Sequence, residues 1–324
     1  MTKTAAMAAD MPRKKKRGWK KFIWPFIGII AIVTSFWLLT KELHNLSWDA
    51  LWERIDEIGG LHWWLIGFCT ICSYAALAFY DHVALDHIGR RLRFHFVALT
   101  SLTTYAIGHN IGASVFTGAV VRYRAYTSKG LSGPEVGVIV SFCTFTYILG
   151  VMVLLGLVFL IVPDLEVRLG DFISPAVLQW GGGVLLALVA LYMVGSALGL
   201  PPLRIRRFAI AYPRLPIAFQ QLILGPVEQL FAVGIFYFAL PDAGNPGYLV
   251  VMAVFVISFS LALISHAPGG LGVFELAMLT GLPEFSPETV LAALIIFRLF
   301  YFIVPFFIGL VVIVCFERVQ LRES

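Results

Sequence analysis

Long apolar stretches, separated by short segments that hold most of the charges, constrain this chain more than any other feature. An α-helix needs about 20 apolar residues to cross the hydrocarbon core of a bilayer. Only 13% of the residues are charged, whereas a soluble domain has about 25%. The sequence therefore predicts an all-α polytopic membrane protein. The same composition excludes a cytosolic enzyme, a nucleic-acid-binding domain and a small secreted module held together by disulfides.

The positions of Lys and Arg predict on which side of the membrane each segment lies, because short loops rich in these residues stay in the cytoplasm. Residues 1–21 contain eight basic residues and one acidic residue, whereas the loop at 41–60 is acidic. Alternating the sides along the chain predicts six full transmembrane helices, with both termini in the cytoplasm. They lie at about 22–40, 61–80, 136–162, 175–200, 217–240 and 289–316. We expect a disordered basic tail (1–21), one transmembrane domain (22–316) and a cytoplasmic tail (317–324).

Two further apolar stretches each begin and end on one predicted side of the membrane. Residues 94–121 have basic residues on both flanks and are interrupted by glycines, which divides them into legs at Phe94–Ile107 and Ile111–Val121. Residues 248–282 are broken at 266–272 and begin and end on the outer side. The pattern predicts two re-entrant, broken helical hairpins in inverted orientation, as in transporters whose interrupted helices form the substrate site. The alternative is that both stretches cross the membrane with kinks, which would give eight or more spans.

Five ionisable side chains fall inside these apolar stretches, where a charge costs roughly 2.5–3.5 kcal/mol on insertion scales. They are Glu228, Glu275, Arg298 and two histidines at the breaks, His109 and His266. We predict that they line a polar path for part of a substrate. The alternatives are an ion pair that pins helices together, for Glu228, Glu275 and Arg298, and helix capping, for the two histidines.

The cytoplasmic end of the first hairpin carries Arg122 and Arg124, interleaved with tyrosines. Arginine binds phosphate with two parallel hydrogen bonds, so these residues are candidates for capturing a lipid phosphate at the headgroup layer. Plain anchoring by the positive-inside rule is the alternative. Further candidates for binding an anionic headgroup are the backbone N–H groups of Gly269 and Gly270 at the second break. Asn110, next to His109 at the first break, is another candidate. We predict no metal site and no cofactor.

The two breaks resemble a known family. The first is Gly108-His109-Asn110-Ile111-Gly112-Ala113-Ser114, continuing through Thr117-Gly118 to Arg122-Tyr123-Arg124 and Gly130-Leu131-Ser132. The second is Pro268-Gly269-Gly270-Leu271-Gly272-Val273-Phe274-Glu275. Both are similar to the N-terminal flippase region of bacterial lysyl-phosphatidylglycerol synthase/flippase proteins and to their stand-alone relatives. The resemblance covers roughly residues 20–316.

The resemblance implies that a phospholipid, such as an aminoacylated phosphatidylglycerol, is moved between the leaflets of the bacterial inner membrane. Bifunctional members carry a cytosolic aminoacyl-transferase domain after the membrane part. Because this chain stops about eight residues after its last predicted span, we expect no enzyme activity from it. The alternative is a membrane protein that does not transport but assists a separately encoded lipid-modifying synthase. The implied partners are therefore membrane phospholipid, a separate lipid aminoacyltransferase and, through its glycine-rich faces, a second copy in a homodimer.

Overall fold

The computed structural model describes residues 48–111, 114–162, 165–168, 174–201, 203–205, 208–210, 212–265 and 272–323. The basic tail at 1–21 and the first predicted span at 22–40 lie outside the described residues. The helices are α1 (Trp48–Asp56), α2 (Gly60–His87), α3 (Phe94–Ile111), α4 (Ser114–Thr127), α5 (Gly133–Ile161), α6 (Leu165–Arg168), α7 (Pro175–Ala197), α8 (Leu215–Tyr237), α9 (Tyr248–Ser265), α10 (Val273–Gly281), α11 (Pro287–Arg298), a π-helix (Leu299–Ile303) and α12 (Val304–Glu323). A small antiparallel hairpin of β1 (Leu203–Ile205) and β2 (Phe208–Ile210) lies in the basic loop before α8.

Within the described residues, six helices are long and apolar enough to cross a membrane, which confirms the predicted fold class. They are α2, α5, α7, α8, α9 and the run from α11 into α12. Five of them match predicted full spans, and the sixth, α9, is the stretch that the sequence assigned to a hairpin. The last span, Pro287–Arg318, matches the predicted 289–316 closely but is not one regular helix, because the π-helix interrupts it.

Local sequence signals explain where several of these helices begin. Ser132 precedes α5, and the backbone N–H of Ser132 donates to the Glu135 carboxylate at 2.7 Å. Ser286 precedes α11, and its hydroxyl accepts a hydrogen bond from the Thr289 backbone N–H at 3.3 Å. Each of these helices has proline in its first turn, where the missing N–H is not needed. Capping of this kind satisfies backbone donors that the helix itself leaves unpaired.

The centre of the bundle is a close crossing of α5 and α8 at two glycines. A Cβ atom placed on Gly150 would lie 2.4 Å from the backbone carbonyl carbon of Gly225, so neither position has room for a side chain. Small residues that let backbones approach in this way are typical of packing between transmembrane helices. Helix α2 packs on the same crossing, and the Tyr80 hydroxyl donates to the Gly225 carbonyl at 3.3 Å. This contact places Glu228, one turn further along α8, deep inside the bundle.

Helices α3 and α4 fold back on each other as an antiparallel hairpin. A Cβ atom on Gly118 would lie 2.9 Å from the Thr104 methyl carbon, and the rings of Phe96 and Tyr126 lie 6.3 Å apart. In each pair the two residues lie equally far in sequence from residue 111, as expected for two antiparallel legs that are joined near that residue. The legs are longer than predicted, since α3 extends to Ile111 and α4 to Thr127.

Helices α9 and α10 form a second antiparallel hairpin. The rings of Phe259 and Phe274 lie 5.6 Å apart, and a Cβ atom on Gly281 would lie 2.4 Å from a methyl carbon of Val254. The predicted break at 266–272 separates these two helices, and its residues 266–271 lie outside the described residues.

The two hairpins open at opposite ends of the bundle. Beside the opening of the first, Arg90 pairs with Glu135 at the start of α5, and Lys129 lies 5.3 Å from the ring of Phe96. At the opening of the second, Arg168, beyond the far end of α5, donates to the Gly281 carbonyl at 3.1 Å. Since α5 runs from one end of the bundle to the other, the two hairpins enter the bundle from opposite ends.

Candidate functional site

Both hairpins contact the last span: the first reaches its π-helix, Leu299–Ile303, and the second reaches Phe297 and Arg298 directly before it. The wider turn of a π-helix changes which backbone groups are paired, and single π turns occur frequently at functional sites. Two carbonyls of this segment accept hydrogen bonds from side chains. The Tyr301 carbonyl accepts from the Tyr74 hydroxyl at 2.8 Å, and the Phe302 carbonyl accepts from the Asn110 amide at 3.0 Å.

The first hairpin brings His109 and Asn110 to the π-helix. The imidazole ring of His109 stacks on the ring of Tyr301, with centroids 5.3 Å apart and an angle of 18° between the planes. The Asn110 amide donates both to the Phe302 carbonyl and, at 2.7 Å, to the Ala106 carbonyl on its own helix. Nδ1 of His109 is buried and has no hydrogen-bond partner among the described residues. A buried polar atom without a partner requires an explanation, and one explanation is that it binds a group that is not part of the protein.

The second hairpin brings Glu275 to Arg298, the residue directly before the π-helix. Arg298 Nε donates to Glu275 Oε1 at 2.8 Å, and Nη2 of the same arginine contacts the same oxygen. The other oxygen, Oε2, accepts from the Gly272 backbone N–H at 2.7 Å. Gly272 has φ of +84°, a conformation that side chains rarely adopt. The Arg298 side chain is 20% exposed and that of Glu275 is 8% exposed, so water or a ligand can reach the pair from one side.

Glu228 lies behind the π-helix and is not part of this ion pair. Its Oε1 atom accepts hydrogen bonds from the Tyr301 hydroxyl at 2.7 Å and from the Ser73 hydroxyl at 3.0 Å. The residue is only 1% exposed. A small cavity beside it, with room for about one water molecule, is also lined by Tyr147 and Gln229. Tyr301 therefore connects Glu228 with the tip of the first hairpin.

The expectation that Arg122 faces the headgroup layer is wrong. Arg122 is 5% exposed, and its Nε and Nη2 atoms each donate to the Asp81 carboxylate at 2.8 Å. The Tyr126 hydroxyl donates to the same carboxylate at 3.0 Å, and the guanidinium lies 4.8 Å from the ring of Tyr105. This arrangement holds α4 and α3 against α2 and leaves Arg122 without a free face for a phosphate.

The burial of Asp81 also differs from the prediction. The predicted second span ended at residue 80, whereas α2 continues to His87 and buries Asp81 completely. Arg122, which compensates the charge of this buried carboxylate, is 41 residues away in the sequence, so no local pattern reveals the pair.

Arg124 does lie at the surface. Its side chain is 58% exposed and forms two hydrogen bonds of 3.0 Å with Glu317 at the end of α12. The remaining candidates from the second break, His266, Gly269 and Gly270, lie outside the described residues. The sequence also missed Tyr301 and Ser73, whose hydroxyls bind Glu228. Their only signal was a polar side chain within an apolar run, which many unrelated residues share.

The fold and this site define a class: a polytopic helical membrane protein in which two hairpins, open at opposite ends, meet on an interrupted last span. The chain belongs to the family described as the lysylphosphatidylglycerol synthase TM region, whose model matches residues 26–309. This finding confirms the family resemblance carried by the two breaks.

Three relatives illustrate the range of the family. Uncharacterized protein slr0712 of Synechocystis sp. is 27% identical, over 92% of this chain and 92% of its own length. Inner membrane protein YbhN of Escherichia coli is 27% identical, over 90% of both chains. Phosphatidylglycerol lysyltransferase of Staphylococcus haemolyticus is 25% identical, over 90% of this chain but only 33% of its own length. The chain thus matches whole proteins as well as the membrane part of a larger one.

Proposed function

We propose that this protein moves phospholipid between the leaflets of the bacterial inner membrane. The observation that carries the proposal is the meeting of the two hairpins on the last span, the first at the π-helix and the second directly before it. This contact gathers His109, Asn110, Glu275 and Arg298 within the membrane-spanning part of the chain. Irregular backbone at that depth is tolerated where protein or a water-filled cavity satisfies it. In transporters, such interrupted helices form the substrate site.

The ion pair of Glu275 and Arg298 has the chemistry that a phospholipid headgroup needs. A guanidinium binds a phosphodiester, and a carboxylate binds an ammonium group. An aminoacylated phosphatidylglycerol carries both a phosphodiester and an ammonium group. When it binds, Arg298 can pair with the phosphodiester and Glu275 with the ammonium group, so neither side chain is left unpaired. The unpaired Nδ1 of His109 adds a further polar contact at the same tip. The acyl tails remain in the surrounding lipid.

The charges at the two ends of the bundle support an orientation. The end at which the first hairpin opens carries Arg90, Arg91 and Lys129, whereas the opposite end carries Asp242 and Glu284. By the positive-inside rule, these charges support a cytoplasmic position for the first end, and our proposal includes a cytoplasmic position for both termini. In this orientation Arg124, exposed at that end, is the first residue to meet a lipid phosphate from the inner leaflet.

A separately encoded lipid aminoacyltransferase would supply the substrate in this scheme, and a homodimer is compatible with it. The alternative function is a membrane partner that assists such an enzyme without moving lipid. The closed ion pair of Glu275 and Arg298 favours this alternative, because a pair that only pins helices needs no substrate.

Lipid movement in proteoliposomes tests the proposal. The purified protein is reconstituted with fluorescent phosphatidylglycerol or lysyl-phosphatidylglycerol, and lipid exposed on the outer leaflet is bleached with dithionite. Arg298→Gln removes charged hydrogen bonds worth about 1.5–3 kcal/mol each, so we expect a fall in rate of about 10- to 100-fold. The matched control is Arg54→Gln, which removes an arginine from an exposed pair with Glu57 and is expected to keep the wild-type rate.

Two results would contradict this proposal. The first is wild-type protein that moves neither lipid faster than empty vesicles. The second is an Arg298→Gln variant that loses stability, measured by size-exclusion chromatography after heating, but transports at the wild-type rate when folded. The first result would support the membrane-partner alternative, whereas the second would show that Arg298 stabilises the fold and takes no part in transport.

A further inference from the structure

Glu228 is a carboxyl group buried at the centre of the bundle without a cation. Its exposure is 1%, and within the part of the chain that the structure describes it forms no salt bridge. Two other buried acids, Asp81 and Glu275, differ from Glu228 because each forms a salt bridge, Asp81 with Arg122 and Glu275 with Arg298. An ionised carboxylate in an apolar interior is costly unless it is paired, and a proton removes that cost.

The groups that face Glu228 from each neighbouring element are neutral. Helix α2 contributes Ser73 and two tyrosines, α5 contributes one tyrosine, and the π-helix contributes another: Tyr74, Tyr80, Tyr147 and Tyr301. Helices α9 and α11 present apolar side chains to the adjoining cavity, those of Phe255, Val256, Phe259 and Phe297. Arg298 of α11 is engaged with Glu275 instead. Hydroxyl groups can donate to an ionised carboxylate and accept from a protonated one, so this shell accommodates both states.

We propose that Glu228 is a proton-binding site and that its protonation drives the lipid movement proposed above. Buried acids of this kind serve as proton sites in pumps and transporters. The proton comes from water, and the adjoining cavity, which has room for about one water molecule, provides the place for exchange. The identity of the cargo rests on the proposed function, but the proton site does not.

Tyr301 provides the mechanical link between the proton site and both hairpins. Its hydroxyl donates to Glu228, and its ring stacks on His109 of the first hairpin. The same ring stacks on Phe297 at 5.1 Å, and Phe297 contacts Phe274 of the second hairpin at 5.8 Å. When Glu228 gains a proton it becomes a donor, and if the proton binds Oε1 the Tyr301 hydroxyl turns from donor to acceptor. A change in one hydrogen bond therefore reaches residues of both hairpins.

Infrared difference spectroscopy of the purified protein between acid and alkaline pH tests the proton site without any lipid cargo. We expect the pH-dependent protonated-carboxyl absorption to contain one component that is lost in Glu228→Gln and kept in Glu53→Gln, a control that removes an exposed carboxyl on α1. Protonated-carboxyl absorption that is the same in Glu228→Gln as in the wild type overturns the proposal. If that variant does not fold, Glu228→Asp is used, because it keeps the carboxyl but moves it away from Tyr301. Its pH midpoint is expected to shift, and an unchanged midpoint overturns the proposal.

Proteoliposomes with an imposed pH difference test the coupling. The wild-type rate of lipid movement is expected to change at least fivefold with the gradient, and the rate of Glu228→Gln is expected to be the same with and without it. A wild-type rate of lipid movement that is independent of the pH gradient overturns the proposed coupling between protonation and transport. If no lipid moves but the infrared band is lost in Glu228→Gln, the proposed function fails and the proton site stands.

Discussion

Breaking the buried pair of Asp81 and Arg122 is expected to be among the most destabilising single changes in this protein. The Asp81→Ala variant leaves the Arg122 guanidinium 5% exposed, without either of its two 2.8 Å hydrogen bonds. Removing one partner of a buried pair costs about 3–5 kcal/mol, because the other charge stays buried and uncompensated. The cation–π contact with Tyr105 offsets only part of this loss.

A double-mutant cycle measures the interaction directly. The free energy of unfolding is determined in mixed micelles, by adding a denaturing detergent, for Asp81→Ala, Arg122→Ala and the double variant. We expect the double variant to lose clearly less stability than the sum of the two single losses, with a coupling of about 1–3 kcal/mol. Arg124→Ala is the matched control, because this arginine lies two positions away on α4 and its pair with Glu317 is exposed.

Additive losses in the cycle would refute this reasoning. So would an Asp81→Ala variant no less stable than Arg124→Ala. Either result would mean that the pair contributes nothing to holding the first hairpin against α2.

Three further predictions concern the packing and the loops. Gly150→Ala is expected to lower the free energy of unfolding by about 1–3 kcal/mol through overpacking, since its Cβ would lie 2.4 Å from Gly225. The control is Gly137→Ala on the same helix, whose Cβ meets nothing within 4 Å and should not destabilise the protein; equal free energies of unfolding for the two variants would contradict this. Asn110→Ala leaves the Phe302 carbonyl unpaired and should cost about 1–3 kcal/mol; wild-type stability would show that the contact is not needed. A hydrogen bond from Arg168 lowers the pKa of Glu284 below its ordinary value of 4.5, so its stabilising contribution is present above that pH and is lost as the pH falls. The wild type should therefore unfold at a higher temperature than Glu284→Gln at pH 7, and this advantage should shrink below about pH 4.5; an advantage independent of pH would be the contrary result.

The sequence predicted the fold class and the two hairpins because both follow from local patterns. Runs of apolar residues reveal helices, and glycines flanked by charges of one sign reveal where a helix turns back. The first hairpin illustrates this, since α3 and α4, on either side of a predicted glycine break, pack against each other as antiparallel legs. Whether the hairpins enter the membrane from opposite faces stays a prediction.

The site was only partly accessible to such reasoning, because its contacts join residues far apart in the chain. The pairing of Glu275 with Arg298 was considered as an alternative, but the burial of Arg122 was not, since it depends on Asp81 of another helix. The π-helix has no sequence signal either. Leu299–Ile303 contains neither glycine nor proline, and its extra residue is accommodated by side chains that bond its carbonyls, such as those of Tyr74 and Asn110.

Labelling of single cysteines in intact cells tests the central claim most directly. In a background without native cysteines, Arg91→Cys and Lys129→Cys mark the opening of the first hairpin, and Asp242→Cys and Pro283→Cys mark that of the second. A membrane-impermeant maleimide added from outside is expected to label the second pair, and to reach the first pair only after the membrane is opened. Labelling of both pairs from the same side would contradict hairpins that enter from opposite faces.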